Sequence, residues 1–392
     1  LFSGKTVFRH DGRAIFFASF FMFWKKNTPP TPSVPEIYEA LRQVPDPLTG
    51  NDIVEKQMVQ GLEVEEQQVR FTLALPSMSA PQKAELHAAC VQSIQQRFPQ
   101  ADVHVHFALR ADTPRGDDRP LPQVKNIIAV ASGKGGVGKS TVAANLALGL
   151  HRLGAKVGLL DADVYGPSVP TMLGLSGRRP PVKDVLGKPR MMPLEAYGIQ
   201  TISIGFIIEP EQAVVLRGPR LGGIIKQFFG EVLWGDLDYL VIDLPPGTGD
   251  VQLSLVQTVP VTGAVMVTTP QEVAVIDAVK AMNMFRLPNI DVPILGVVEN
   301  MSWFTPKELP DNRYYLFGEG GGKQLAKLGE TMLLGQIPLV QGIREAGDAG
   351  RPAVLGDEPI VQEAFMQVAQ NVARQIAVRN ETLPPTQKVE MA

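Results

Sequence analysis

Gly133-Lys134-Gly135-Gly136-Val137-Gly138-Lys139-Ser140 packs four glycines, two lysines and a serine into eight residues. It matches G-x-x-x-x-G-K-[ST], the pattern of a phosphate-binding loop. The residue types explain the chemistry. Glycines let backbone N–H groups turn inward and surround phosphate oxygens. A helix starting there adds the partial positive charge of its N-terminus. Lys139 is placed to reach the β- and γ-phosphates of ATP, and Ser140 to ligate Mg²⁺. The expected ATP-binding run is Gly133, Lys134, Gly135, Gly136, Val137, Gly138, Lys139, Ser140 and Thr141. An ordinary glycine turn is the alternative, and the elements on either side of the loop argue against it.

Three aspartates complete the expected site. Asp161 and Asp163 follow the apolar run Val157-Gly158-Leu159-Leu160, and Asp243 closes Leu240-Val241-Ile242. Carboxylates at the C-terminal ends of parallel strands sit where open α/β sheets place their ligands. Such carboxylates suit a hydrated Mg²⁺ and an attacking water. Asp243 has the place of a Walker B aspartate. Pro245-Pro246-Gly247-Thr248-Gly249-Asp250 follows it, a glycine loop able to move on hydrolysis. Helix capping is the other role open to Asp163.

These residues need a scaffold. An apolar run at 126–131 precedes the loop, a helix is expected over 141–153 ending at Gly154, and a second apolar run spans 156–160. That is a strand–loop–helix–strand unit. Further apolar runs lie at 239–242, 263–268, 294–298 and 333–337, separated by helical patterns. Continuous apolar strands alternating with helices predict a parallel sheet buried on both faces. The fold class is therefore α/β: a P-loop NTPase with a mostly parallel sheet flanked by helices, over 124–378.

A small α+β unit is expected before it, over 31–110. Its helices are predicted at 36–44 and 80–98 and its strands at 58–64, 69–75 and 101–109. Leu86, Cys90, Ile94 and Phe98 form one stripe of the second helix. Residues 111–123, charged and rich in proline and glycine, read as a linker. Residues 379–392 read as a polar tail. Residues 1–30 read as a leader: Leu1 stands where Met is usual, and the apolar stretch 14–24 is too short to span a membrane. A translation start at Met22, with residues 1–21 an upstream extension, is the simplest account.

Composition narrows the function. The 392 residues carry 37 basic and 40 acidic side chains, a net charge of −3. That balance gives no electrostatic reason to expect a nucleic-acid partner. The single cysteine, Cys90, fits a reducing compartment, and a cytoplasmic location is expected. No membrane association is expected.

Lys134 inside the loop makes K-G-G-x-G-K-[ST], which resembles the deviant Walker A class of nitrogenase iron protein, MinD, ParA and the Mrp/ApbC proteins. More specific stretches are Asp161-Ala162-Asp163-Val164-Tyr165-Gly166-Pro167-Ser168, Arg217-Gly218-Pro219, Asp243 to Asp250, Glu299-Asn300-Met301-Ser302, Phe317-Gly318 and Gly350-Arg351-Pro352. Together they resemble the Mrp/ApbC family, ATPases that carry iron–sulfur clusters to apoproteins. Asp46-Pro47 through Asp52-Ile53-Val54 resembles the small domain fused to many of them. The resemblance implies a homodimer in which Lys134 contacts the partner's nucleotide. It implies that Asp161 orders metal-bound water, that Asp163 helps activate hydrolysis, and that Ser140, Asp161 and Asp243 hold Mg²⁺ directly or through water. It also implies that Asn300 contacts adenine, with Pro338 and the loop at 343–352 lining the base's other side. Apoprotein clients and iron–sulfur assembly factors are the implied partners, and a cluster of 4Fe–4S type the implied cargo.

The chain departs from that family in one respect. Carriers of this type usually have C-x-x-C shortly after Asn-Met-Ser. Here Trp303-Phe304-Thr305-Pro306-Lys307-Glu308-Leu309-Pro310 follows instead. Clusters normally need thiolates. Cys90 reads as a core residue and His104 and His106 as one solvated strand face, so the cluster ligands stay unknown. Two other functions remain open: an ATP-dependent metallochaperone or scaffold without its own cluster, and a nucleotide-switched organiser like MinD or ParA.

Overall fold

The computed structural model describes residues 32–46, 50–75, 80–109, 121–164, 166–185, 187–207, 228–249, 252–253, 256, 258–288, 290–306, 308–309 and 312–384. The leader, residues 111–120 of the linker, Arg217-Gly218-Pro219, Asp250 and the last eight residues of the tail lie outside them.

The first part of the chain is α1 (Val34–Leu41), β1 (Val59–Glu65), β2 (Gln68–Leu75), α2 (Ala80–Arg97) and β3 (Asp102–Leu109). The strands form one sheet in the order β1-β2-β3, antiparallel then parallel. Helix α1 starts two residues earlier than its apolar spacing suggests, because Glu36 Oε2 accepts from the Ser33 amide at 3.2 Å and hydroxyl at 2.6 Å. It stops at Leu41, three residues short of the expected end. Leu86, Cys90 and Ile94 of α2, with Phe98 just past its end, are buried in one cluster with Ile37, Leu41, Phe71 and Leu73. Burial of a stripe at i, i+4 spacing is what anchors such a helix.

The larger part contains an eight-stranded sheet in the order β13-β12-β11-β4-β10-β5-β9-β8. Its strands are β4 (Val124–Ser132), β5 (Val157–Asp161), β8 (Leu194–Ala196), β9 (Ile199–Ser203), β10 (Leu237–Asp243), β11 (Gly263–Thr268), β12 (Ile294–Glu299) and β13 (Leu333–Gln336). All neighbours run parallel except β8 and β9. The six expected runs are all strands. Strands β8 and β9 were not expected, nor was a separate hairpin of β6 (Val182–Val185) and β7 (Lys188–Met191).

Alternation along β4 divides the core. Ile128 and Val130 join the layer containing α3 (Lys139–Arg152) and the last helix, which runs Pro359–Thr382. Ile127, Ala129 and Ala131 join the opposite layer. Its main helix is Glu272–Phe285, called α5 here because the short α4 (Val169–Met172) precedes it. Two boundaries need correction. The last helix continues to Thr382, so residues 379–382 are helical rather than tail, held by bonds such as Asn380 Nδ2 to Asn126 Oδ1 at 2.9 Å. Leu121, placed in the linker, is buried in the core of the larger part.

Candidate active site

Register brings the acidic residues together. Across three adjacent strands, Asp243 of β10 pairs with Asp161 of β5, and Asp161 with Ser203 of β9. On the other side Asp243 pairs with Val130, two residues before β4 ends and the glycine loop begins. The C-terminal strand ends and the loop therefore share one edge of the sheet, the ligand edge of open α/β folds.

The loop has the conformation its glycines suggest. Gly136 and Gly138 have φ of +80° and +79°. Gly138 caps α3 with no side-chain hydrogen bond. The first-turn N–H groups of this 14-residue helix thus face the loop, a ready anion site. A Cβ on Gly138 would lie 2.2 Å from Asn300 Nδ2, and one on Gly133 would lie 2.1 Å from the Asp277 backbone of α5. Both positions demand glycine.

Lys139 is at the centre. It is buried, with Nζ 2.5 Å from Asp243 Oδ1, 3.5 Å from Asp163 Oδ2 and 3.3 Å from Ser140 Oγ. One ammonium therefore faces several carboxylates in a site almost without solvent. Burial, followed by the charge of Asp243, pushes the Asp161 carboxyl up to about 8, against the pull of Ser203, the Asp163 amide and Lys139. Burial likewise raises Asp243, opposed chiefly by Lys139 and by a hydrogen bond from Ser140. An excess of buried carboxylate is relieved by protonation or by a cation.

The residues fit Mg²⁺. Among the described residues the buried Asp243 Oδ2 has no hydrogen-bond partner, so this carboxylate, which lies beside the Ser140 hydroxyl, has an acceptor left over. Among the described residues no three His, Cys, Asp or Glu converge as a direct metal cage. Mg²⁺ commonly keeps several waters and takes one or two carboxylates, which suits this arrangement.

Asp163 is not a helix cap. The next helix, α4, begins six residues later at Val169, and Val169 N donates to Asp161 Oδ2 at 3.3 Å. Lys134 Nζ lies 3.4 Å from Gln271 Oε1, at the start of α5. Asn300 follows β12 and donates through Nδ2 to the Val137 carbonyl at 2.8 Å, tying the sheet edge to the loop. Pro338 is buried. The segment expected as a loop at 343–352 is largely the helix Gln341–Asp348, which buries none of its residues. Cys90 is fully buried, which pushes its thiol up to about 12. His104 and His106 are exposed, and His104 pairs with Asp102 at 3.0 Å.

Sequence reasoning gave no role to three residues here. Ser203 donates to Asp161 Oδ2 at 2.9 Å. Gln252 Nε2 holds the carbonyls of Pro245 (2.7 Å) and Gly247 (2.6 Å), bracing the loop after Asp243. Glu299, buried, accepts from the Gly322 amide and from Gln336 Nε2 at 2.6 Å. The β-branched alternation Ile199–Ser203 after Tyr197-Gly198 was the available signal for Ser203.

Comparison with known proteins agrees with this geometry. The family model of the NUBPL iron-transfer P-loop NTPase matches residues 123–373, and a model described as iron-sulfur cluster assembly protein matches 35–111. An iron-sulfur cluster carrier protein of Deinococcus radiodurans is 46% identical over 90% of this chain and 98% of its own. One from Synechocystis is 44% identical over 87% of this chain and 97% of its own. A nucleotide-binding protein from Archaeoglobus fulgidus, solved in complex with ADP, is 40% identical, with a TM-score of 0.54 over 63% of this chain and 94% of its own. The chain belongs to the NUBPL iron-transfer family of P-loop NTPases.

Proposed function

We propose that the protein hydrolyses Mg²⁺-ATP and, as a homodimer, delivers iron–sulfur clusters to apoproteins. The observation that carries the ATPase is the gathering of Lys139, Ser140, Asp163 and Asp243 at the N-terminus of α3. The relatives named iron-sulfur cluster carrier protein, similar along nearly the whole chain, support the cargo.

Each residue has a task in this account. The amides of the glycine loop and the first turn of α3 bind the phosphates. Lys139 leaves Asp243 to meet the β- and γ-phosphates. Ser140, Asp243 and Asp161 would hold Mg²⁺ directly or through water, and the metal would neutralise phosphate charge. Asp163 orients the attacking water. Lys134, beside Gln271 at the loop's rim, reaches the partner's nucleotide. Asn300 Nδ2 braces the loop at Val137, and its remaining amide capacity serves the base. We take residues 31–110 as a separate domain that docks assembly factors, and the cytoplasm as the location. Among the described residues no helix is long and apolar enough to cross a membrane.

One observation favours a second reading. The chain's single cysteine is buried in the small α+β unit, so thiolate ligands have to come from elsewhere. An ATP-driven scaffold that assists a cluster held by its partner fits that fact. Anaerobic reconstitution with iron and sulfide separates the two. Bound iron with sulfur-to-iron absorption, passed to an apoprotein, supports the carrier. ATPase activity without bound iron supports the scaffold.

A further inference from the structure

We infer that Ser203 is a positioning residue that sets the orientation of the Asp161 carboxylate for Mg²⁺-nucleotide. The inference rests on the Mg²⁺-nucleotide reading of the site given above. Ser203 and Asp161 are both fully buried and are register partners at the ends of adjacent parallel strands. A serine hydroxyl has one proton. The Gly205 amide donates to Ser203 Oγ at 3.0 Å, occupying an acceptor position and fixing the rotor. The proton is thereby aimed at Asp161 Oδ2, 2.9 Å away.

Among the described residues three donors hold the Asp161 carboxylate: Asp163 N on Oδ1 at 3.1 Å, and Val169 N at 3.3 Å and Ser203 Oγ on Oδ2. Two are backbone amides that any residue would supply. Ser203 is the side-chain donor, and at 2.9 Å it is the shortest of the three. It also ties strand β9 to strand β5 through the Asp161 carboxylate. The carboxylate is shut off from water, and these bonds set its rotation. Loss of the hydroxyl frees Oδ2 to turn and leaves the ionised form less well held.

The test is the gain in ADP affinity on adding Mg²⁺, measured with a fluorescent ADP analogue on the full chain, together with the Mg²⁺ concentration that half-activates hydrolysis. Ser203→Ala is expected to weaken the Mg²⁺-dependent gain and raise the half-activating concentration, each by about tenfold, the scale of one hydrogen bond to a charged group. ADP affinity in EDTA stays within about twofold, because the phosphate loop does not depend on this bond. Ser203→Thr, which keeps a hydroxyl on a strand, restores the gain. Ser203→Cys, close in shape and a weak donor, behaves like the alanine variant and decides the matter if the alanine variant does not fold. A wild-type Mg²⁺ response in the alanine or cysteine variant overturns the assignment. So does a threonine variant that is equally impaired while binding ADP normally in EDTA. If the wild-type protein itself gains no affinity from Mg²⁺, the Mg²⁺-nucleotide reading fails first, and this inference with it.

Discussion

Lys139 Nζ and Asp243 Oδ1 lie 2.5 Å apart in a site where the lysine is nearly buried and the aspartate fully so. A buried pair of this kind is weak support for stability, because desolvation offsets much of the attraction. In the proposed mechanism its value is functional: the ammonium would exchange this carboxylate for phosphate.

The pair yields the first prediction. Asp243→Asn keeps the shape and removes the charge. Hydrolysis should fall at least about a hundredfold, the size of losing one preorganised electrostatic group. Isothermal titration should still detect ADP, with its Mg²⁺ dependence largely lost. Normal Mg²⁺ dependence would place the metal elsewhere.

Gly138 gives the second. Ala there meets a φ of +79° and sets a Cβ 2.2 Å from Asn300 Nδ2. The backbone costs roughly 1–2 kcal/mol and the broken Asn300–Val137 bond about 1 kcal/mol more. Urea unfolding of Gly138→Ala should show a loss of about 2–3 kcal/mol, accompanied by loss of nucleotide binding. Unchanged stability would mean that the loop is not held as described.

Asp161 gives the third. Its folded carboxyl is raised to about 8 from 3.8. The folded state therefore binds this proton more tightly than the unfolded chain does. The associated stability is full below the unfolded value and is lost as pH rises through about 8. Without metal or nucleotide, the thermal midpoint of the wild type should fall relative to Asp161→Asn as pH is raised from acid to mild alkali. Parallel curves for the two proteins would contradict the assignment.

Cys90 gives the fourth. Burial pushes its thiol up to about 12. At mildly alkaline pH the native protein should resist alkylation, and denaturant should restore one reactive thiol per chain. Rapid labelling of the native protein would return Cys90 to candidacy as a cluster ligand.

Much of this was legible from sequence because the informative strands are buried on both faces. The run Gly263–Thr268 is entirely buried and reads as apolar up to its last residue. The same holds for Val157–Asp161. Strand β9 escaped notice because Gln200, Thr201 and Ser203 interrupt it, although Thr201 and Ser203 are fully buried. The polarity of Ser203 reflects its hydrogen bonds with Asp161 and Gly205, whereas Thr201 Oγ1 is buried with no hydrogen-bond partner among the described residues. The hairpin β6–β7 escaped for the opposite reason: its strands are mostly exposed, so neither face is marked by apolar residues. In the site, Lys139, Asp161, Asp163 and Asp243 were legible through spacing and strand ends. The brace of Gln252 on Pro245 and Gly247, and the tie of Asn300 to Val137, depend on chain segments that only folding brings together.

The central claim is that the Lys139 constellation hydrolyses ATP, with Lys134 acting across a dimer. The most direct measurement is steady-state phosphate release from Mg²⁺-ATP by the wild type, Lys139→Ala and Lys134→Ala, with nucleotide binding measured alongside. The account predicts turnover by the wild type, loss of both binding and turnover in Lys139→Ala, and retained binding without turnover in Lys134→Ala. Undiminished phosphate release by Lys139→Ala would contradict it.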